Sequence, residues 1–331
     1  MIEKYLNVRY STRNLSDEEF EKILPILAEE LVDIDYTPHY DDKILLNDWH
    51  NLCSWESTEP YINSTSRIGL KLGEHFFKNF FSIENKDGKS FENMWSKSNL
   101  EKILKWNRSS HSTPYLSEIK RGLYFCCGLT KNTMFRPQIA KMICDDYKPE
   151  VVFDPCAGWG GRMLGVVSSG AEYIAFEPNT DTYKNLLRLA KFLNIEKKVK
   201  IICDDVLHIN NYDLPNVDMI LTSPPYFNVE IYNKESTQSI THFNTYDNWV
   251  NGFLEPTITN SLRLLNKGGI SCWNVGKVDK KDMFDDVITG HKKNNYEHRS
   301  EYSVISSKRP VSNKTEKIKS VDITKIFKKI N

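Results

Sequence analysis

The sequence predicts an α/β fold in which a mainly helical N-terminal region precedes a mostly parallel sheet. Four short apolar runs, at 151–153, 173–176, 199–203 and 217–221, have the length and composition of buried strands. Runs with helical spacing separate them, and this alternation is typical of parallel strands with crossover helices. Each apolar run is followed by a polar or acidic segment. Because ligands of such sheets bind beyond the carboxyl ends of the strands, these segments are candidate site residues.

Composition limits the classes of function. The chain has 331 residues, of which 40% are hydrophobic and 27% charged, as in globular proteins. The net charge is zero, so any nucleic-acid surface must be a local patch. Seven cysteines without C-x-x-C spacing predict free thiols in a reducing compartment, and no metal site is expected. Without a signal peptide or an apolar run of membrane length, we expect a cytoplasmic protein with no membrane partner.

Residues 1–130 are predicted to form the mainly helical region. Ser16 and Glu19 form a capping box that begins a helix. Pro25 lies inside the apolar periodicity that follows, which predicts a kinked or split helix. Pro137 suits the first turn of a helix that leads into the apolar run at 151–153.

Two features of the N-terminal region bear on binding. Residues 106–115 combine short hydrogen-bonding side chains with one arginine and two aromatic residues, and they look too polar to belong to a core. The stretch suits phosphate and base contacts, or equally an ordered surface loop. Residues 30–61 are acidic and residues 62–121 basic, which indicates either two opposed faces or two solvated surfaces.

A glycine-rich turn follows the first apolar run. Asp154-Pro155-Cys156-Ala157-Gly158-Trp159-Gly160 stands between a predicted strand and a predicted helix, and its glycines permit close approach of backbone to a nucleotide-like ligand. The turn is not a P-loop, because no G-K-[ST] follows. Glu177 ends the second run, about twenty residues on, where an acid can hold two ribose hydroxyls. Asp204-Asp205 ends the third run and can accept a hydrogen bond from the amine of adenine.

The fourth run ends in Thr222-Ser223-Pro224-Pro225-Tyr226-Phe227. Two consecutive prolines cannot continue a strand, so the chain leaves the sheet as a stiff loop that projects an aromatic ring. A hydroxyl, rigid carbonyls and a flat ring at a strand end make a plausible pocket for a planar amine. Taken alone, the hexapeptide also fits a proline-rich turn with a packed tyrosine.

Four features follow one another along the chain: the glycine turn, Glu177, Asp204-Asp205 and Ser223-Pro224-Pro225-Tyr226. In this order and spacing they resemble a class I S-adenosylmethionine-dependent methyltransferase. Within that class they resemble the DNA amino-methyltransferases with gamma-like motif order. The resemblance covers about 135–327. It implies a Rossmann-like, seven-stranded methyltransferase sheet with an antiparallel last strand. It also implies a catalytic domain over 131–331 and possible target recognition by 1–130.

The same resemblance implies the roles of individual residues. Ser223 Oγ and the Pro224 carbonyl would accept the two N–H groups of the amine, and Tyr226 would stack on the target base. Cys156 is interpreted as structural, because it lies in the cofactor turn and the chemistry needs no nucleophile. The implied catalytic residues are Ser223, Pro224, Pro225 and Tyr226. The implied contacts to S-adenosyl-L-methionine are Phe135, Asp154, Pro155, Cys156, Ala157, Gly158, Gly160, Glu177, Pro178, Asp204, Asp205, Val206 and Ser223.

The expected function is site-specific DNA methylation at an exocyclic amine of a base flipped out of the duplex. The serine form of the tip favours cytosine N4, and adenine N6 is the alternative. RNA amino-methylation and a catalytically inactive DNA-binding subunit are lesser alternatives. The polar insertion 228–246 either closes over the base or is a surface loop, and the basic run 308–329 is a phosphate-facing patch or a solvated tail. No nuclease motif indicates a restriction partner, and the oligomeric state stays open.

Overall fold

The structure is a computed structural model, and it describes residues 2–57, 59, 61–129, 132–229, 231–232, 237–278, 281–305 and 320–330. The described residues form two compact units. The helical unit comprises 1–38, 78–133 and 230–233, and the sheet unit comprises 39–77, 134–229 and 234–331. Residues 39–77 therefore fold with the sheet, so any recognition role of residues 1–130 has to be divided between two bodies.

Ten strands are described. They are β1 (Tyr61–Asn63), β2 (Val151–Asp154), β3 (Glu172–Phe176), β4 (Val199–Ile202), β5 (Val217–Thr222), β6 (Leu265–Asn274), β7 (Lys277–Val278), β8 (Lys281–Asp282), β9 (Tyr296–Ile305) and β10 (Ser320–Lys329). Eight of them form one sheet in the order β1-β9-β10-β6-β5-β2-β3-β4, while β7 and β8 pair separately. Within the sheet, β10 runs antiparallel to β6 and β9, and every other pair is parallel.

The predicted Rossmann-like methyltransferase fold is confirmed, with one additional strand. The sequence predicted seven strands, whereas β1 joins the edge of the sheet as an eighth and pairs in parallel with the end of β9. Only three residues long, β1 carries too little periodicity to be recognised, and its pairing depends on a partner about 240 residues later.

The helices surround this sheet or build the helical unit. A π-helical turn, Val250–Leu254, lies between the helices Tyr246–Trp249 and Glu255–Arg263. Among the described residues, no helix is long and apolar enough to cross a membrane. The helices are α1 (Asp17–Val32), α2 (Asp42–Ser54), α3 (Leu70–Phe76), α4 (Phe91–Met94), α5 (Lys97–Ser109), α6 (Leu116–Cys126), α7 (Pro137–Tyr147), α8 (Gly161–Ser168), α9 (Thr180–Phe192), α10 (Ser239–His242), α11 (Tyr246–Trp249), α12 (Glu255–Arg263) and α13 (Met283–Lys293).

Helix α1 begins as predicted, and of the two predicted effects of Pro25 a split is absent. The Ser16 hydroxyl accepts from the Glu19 amide, and the Glu19 carboxylate accepts from the Ser16 amide, so the capping box is present. The helix continues through Pro25 to Val32 without a split. Buried side chains on both sides of Pro25 hold the helix against the core of the unit, which compensates for the missing amide donor.

Residues 106–115 comprise the end of α5 and the loop before α6, and most of them are half-buried or exposed, with only Asn107 and Pro114 buried. Asn107 is fully buried on α5, and its amide donates to the Thr113 carbonyl at 3.3 Å. The Arg108 guanidinium donates to the carbonyls of Thr12 and Leu15, at 3.1 and 2.8 Å. From the sequence alone, a buried polar side chain that is hydrogen-bonded to backbone cannot be distinguished from an exposed one.

Candidate active site

Asp154, at the end of β2, is the centre of a buried hydrogen-bond network. Its carboxylate is fully buried and forms a salt bridge of 2.6 Å with Arg162. It also accepts from the hydroxyls of Tyr173 and Thr222, at 2.7 and 2.8 Å, and from the Cys156 amide at 3.0 Å. These four donors come from β3, β5, the turn and α8, so the carboxylate holds the glycine turn against three neighbouring elements.

Arg162 of α8 holds the glycine turn through two backbone carbonyls. Its guanidinium donates to the carbonyl of Cys156 and, at 3.2 Å, to that of Ala157. The same group lies 5.2 Å from the centre of the Phe135 ring. Sequence reasoning missed Arg162. The available signal was a charged residue within an otherwise apolar helical run, eight residues after an acid at a strand tip.

Glycine is required at three positions of this turn. Gly158 and Gly160 have φ values of 59° and 72°, in the left-handed region that favours glycine. At Gly161, a Cβ would lie 2.1 Å from the Phe135 carbonyl oxygen, so the backbone of Phe135 rests directly on the first turn of α8. Gly160 and Phe135, both predicted site residues, are therefore next to the first turn of α8. Gly161 lies between them and was missed by the sequence analysis.

Glu177 faces the glycine turn from the end of β3. It is 7% exposed, and its carboxylate accepts from the amides of Gly158 and Asn179, each at 2.9 Å. Burial raises the pKa of Glu177 to about 7. The following Pro178 is half-buried. A carboxylate so placed is suited to accept hydrogen bonds from neutral hydroxyl groups of a ligand.

The two acids after β4 differ in availability. Asp204 accepts from Tyr212 and pairs with His208, each at 2.8 Å. Although burial opposes it, these hydrogen bonds lower the pKa of Asp204. Asp205 uses Oδ1 to cap the 3-10 segment Val206–Asn211, and burial raises its pKa. Within the described chain, Oδ2 of Asp205 accepts no hydrogen bond, so Asp205 is the better placed of the two to accept from a ligand.

The tip after β5 is organised around Asn274, which the sequence analysis missed. The hydroxyls of Tyr226 and Ser223 face its Oδ1, at 3.1 Å and a longer 3.4 Å. Its Nδ2 donates to the Ile323 carbonyl at 3.1 Å and to Thr324 Oγ1 at 3.2 Å. Because a carbonyl only accepts, this contact fixes the amide with its oxygen toward the tip. Asn274 ends β6 and had no signal in the sequence.

The residue after the tip has a strained backbone. Phe227 has a φ of 46°, which is uncommon for an aromatic residue and carries a cost of about 1–3 kcal/mol. Its buried ring packs near Tyr246 and Trp249, with centroid distances of 5.7 and 6.1 Å. This packing holds the reversed direction of the chain after Tyr226, and so fixes where the stiff loop points.

The predicted residues come together because their strands are neighbours in the sheet. The order β6-β5-β2-β3-β4 brings Asn274, Ser223, Asp154, Glu177 and Asp205 to consecutive carboxyl ends along one edge.

Burial raises the pKa of the Cys156 thiol, so the thiol stays protonated, which supports its structural interpretation. In the part of the chain that the structure describes, no three His, Cys, Asp or Glu residues are grouped to hold a metal ion.

Residues 149–248 match the model of a family described as RNA cap guanine-N2 methyltransferase. This segment is less than a third of the chain, and it contains the glycine turn, both acidic strand ends and the tip. No curated protein is similar in sequence to the chain.

Several solved structures are distantly similar. TrmN from Thermus thermophilus is 14% identical with a TM-score of 0.40, over 59% of this chain and 49% of that one, so the chain spans about half of its length. An rRNA methylase from Streptococcus thermophilus is 14% identical, with a TM-score of 0.39 over 60% and 100% of the two chains. A precorrin-6y C5,15-methyltransferase from Geobacter metallireducens is also 14% identical, at 0.40 over 60% and 90%.

These likenesses are too weak to bear on the substrate, and the three proteins differ in what their names say they act on. The sheet has an antiparallel β10, and the glycine turn is followed by acids at the next two strand ends. Together with the family matched by residues 149–248, these features agree on the Rossmann-like methyltransferase fold.

Proposed function

We propose that the chain methylates an exocyclic amino group of a nucleic-acid base, with RNA as the favoured substrate class. The observation that carries this proposal is the tip, where two hydroxyls converge on the fixed amide oxygen of Asn274 beside the glycine turn. The matched family acts on the guanine N2 amine of RNA by its description, and the match includes the tip. Guanine N2 is an exocyclic amine, as are cytosine N4 and adenine N6, so the same acceptor geometry serves all three.

The cofactor would lie along the ends of β2, β3 and β4. When bound, S-adenosylmethionine supplies an electrophilic methyl group on a sulfonium. Glu177 would accept from the ribose hydroxyls and Asp205 from the adenine amine, and the buried Val206, which follows Asp205, would border the adenine. The open backbone at Gly158 and Gly160 would lie beside the amino-acid part. Of the other predicted contacts, Asp154 uses its carboxylate within the protein, so we assign it the positioning of the turn.

Cofactor affinity is expected to depend on pH through Glu177. A carboxylate with a pKa of about 7 is ionised to about one tenth at pH 6 and nine tenths at pH 8. If the ribose requires the ionised form, the Kd for S-adenosylmethionine should rise about tenfold from pH 8 to pH 6. Calorimetric titration measures this change. Glu177→Gln is the matched control, because its amide does not ionise; parallel profiles for the two proteins would contradict the proposal.

The same pKa acts in the opposite direction on the stability of the ligand-free protein. The raised pKa favours the protonated folded state, so this contribution is complete below the unfolded value of about 4.5 and is lost as the pH rises through 7. Above pH 7, cofactor binding would therefore offset the loss of folding stability that ionised Glu177 causes in the free protein.

At the tip, the chain's own residues hold the amine. The amide oxygen of Asn274 only accepts, so the Ser223 hydroxyl donates its hydrogen bond there and keeps the lone pairs of Oγ for an N–H of the substrate. The Pro224 carbonyl would accept the second N–H, and Pro225 keeps that carbonyl rigid. Two such bonds turn the nitrogen lone pair toward the donor, and in-line transfer then depends on positioning. Tyr226 would stack on the base, with its hydroxyl held by Asn274.

DNA remains the second candidate, supported by the Ser-Pro-Pro-Tyr form of the tip, which resembles the cytosine-N4 enzymes and less closely the adenine-N6 enzymes. On a duplex the base would have to be flipped. The insertion 228–246 is predicted either to close over the base or reach a groove, or to be a surface loop. Residues 230 and 233–236 of it lie outside the described residues, as do 308–319 of the basic run.

The test is a comparison of acceptors. Total RNA and genomic DNA are incubated separately with the protein and isotopically labelled S-adenosylmethionine, digested to nucleosides and separated by mass spectrometry. Labelled N2-methylguanosine is the expected product. Labelled N4-methylcytosine or N6-methyladenine in DNA would select the second candidate. Label found only in 5-methylcytosine or in protein would refute amine methylation of nucleic acid, and no cofactor binding at millimolar concentration would indicate an inactive subunit.

A further inference from the structure

Two stacked aromatic rings lie on the surface of the helical unit. Phe125 of α6 is 61% exposed, the most exposed of the large apolar side chains described. Trp106 of α5 stacks on it, with ring centres 5.7 Å apart and planes 11° from parallel. The guanidinium of Arg121, one turn before Phe125, lies 5.1 Å from the centre of the Phe125 ring. We call Trp106, Arg121 and Phe125 the aromatic platform.

The platform depends on the close packing of α5 and α6. A Cβ at Gly122 would lie 2.3 Å from Ile103, so glycine lets the two helices approach closely enough for Trp106 and Phe125 to stack. Ile103 and Leu123 are buried in the core of the unit, whereas Phe125 points outward. Because the Phe125 ring contributes little to that core, its removal tests function without unfolding the unit.

Cations remain on the platform side of α5. Residues 78–133 contain ten Lys or Arg and five Asp or Glu residues. Acids of α1 neutralise three of the basic residues, through the pairs Lys97–Glu29, Lys105–Glu21 and Arg108–Asp17. Lys102, one turn before Trp106, is exposed and forms no ion pair with any described residue. Arg121 pairs with Glu118 at 3.2 Å, yet its side chain stays 55% exposed.

We propose that the aromatic platform docks single-stranded nucleic acid, with a base stacked on the rings of Phe125 and Trp106 and the neighbouring phosphates on Lys102 and Arg121. Aromatic side chains interleaved with arginine and lysine are the means by which proteins bind unpaired bases. The guanidinium both stacks and binds phosphate in a fork. This inference rests on the proposed function, since it supplies a second contact to the same class of substrate.

The surroundings of the rings favour this partner over a protein. Charged side chains and the exposed hydroxyls of Ser109 and Ser117 border the platform. Two rings are also a small part of the roughly 1,000 Å² that a specific protein interface buries. A duplex fits less well than a single strand, because its bases are already stacked on one another.

The test measures binding and turnover separately in the full chain. Fluorescence anisotropy with labelled 12-nucleotide single-stranded RNA, its DNA equivalent and the RNA duplex gives Kd for wild type and Phe125→Ala. Loss of base stacking should weaken single-strand binding by about 5- to 100-fold. Lys102→Ala should lower the slope of log K against log salt by about 0.7. Ile26→Ala is the matched control, because Ile26 is an exposed apolar residue of α1, 43% accessible, in the same unit.

The outcomes distinguish this inference from the proposed function. Phe125→Ala should raise the KM for the oligonucleotide and leave kcat within twofold. If wild type binds and methylates the oligonucleotide while Phe125→Ala does both equally well, the platform is refuted and the proposed function stands. If wild type binds none of the three probes, both fail. Unchanged oligonucleotide affinity with a loss of self-association in sedimentation velocity would identify the platform as a protein contact.

Discussion

Replacing Ser223 with alanine is expected to lower kcat by about 100- to 1,000-fold and to leave the Kd for S-adenosylmethionine within twofold of wild type. The hydroxyl is proposed to accept an N–H of the amine as its nitrogen becomes tetrahedral, and removing one such fixed partner of a transition state typically costs this much. The main proposed cofactor contacts, Glu177 and Asp205, follow other strands, so binding should persist without the Ser223 hydroxyl. Single-turnover kinetics with the acceptor identified by nucleoside analysis measures the first quantity, and calorimetry the second.

Two variants of neighbouring residues make the result specific to Ser223. Tyr226→Phe keeps the ring and loses only the hydroxyl that donates to Asn274, so kcat should fall by less than about tenfold. Asn274→Leu removes the acceptor of the hydrogen bond from the Ser223 hydroxyl and should reproduce part of the Ser223→Ala defect. A Ser223→Ala enzyme that keeps more than a tenth of the wild-type kcat would contradict the role assigned to the hydroxyl.

The second large effect is expected at Arg162. Arg162→Met leaves the buried Asp154 carboxylate without its cation and the carbonyls of Cys156 and Ala157 without a donor. Breaking a buried ion pair by removing one partner costs about 3–5 kcal/mol of unfolding free energy. The glycine turn should lose its shape at the same time, so cofactor binding should be lost together with stability.

A graded series tests this expectation. Tyr173→Phe removes one hydroxyl donor to the Asp154 carboxylate and should cost about 1.5–3 kcal/mol. Arg188→Met on the exposed face of α9 should cost less than about 0.5 kcal/mol. Urea titrations followed by both circular dichroism and tryptophan fluorescence separate the transitions of the two compact units. Equal destabilisation by Arg162→Met and Arg188→Met would show that the ion pair does not hold the turn.

Much of the sheet unit could be predicted because buried parallel strands are continuous apolar runs bounded by turns. That signal located β2 to β5, and the residue following each strand then located Glu177, Asp204-Asp205 and Ser223 along one edge. Pro137 begins α7 as predicted, since proline is favoured only in the first turn of a helix. These signals are local, and each is complete within about ten residues.

The substrate assignment shows where the resemblance was less informative. The tip predicted an exocyclic amine, and that chemistry is common to DNA and RNA bases. The preference for DNA rested on the serine form of four residues, whereas the family matched over 149–248 is described as acting on RNA. DNA and cytosine N4 therefore stay predictions, to be decided by the nucleoside product.

The sequence by itself determined the fold class and the strand ends that carry the candidate site residues, because these follow from local periodicity and from short motifs. Only the tertiary structure decided that β1 joins the sheet, that Arg162 neutralises Asp154, and that the Asn274 oxygen faces Ser223. The Ser223–Asn274 contact joins residues 51 positions apart, and the Arg162–Asp154 ion pair is made between a helix and the end of the preceding strand. The amide of Asn274 gives no local sign of its partner, since its burial is stable only after the whole sheet has assembled around it.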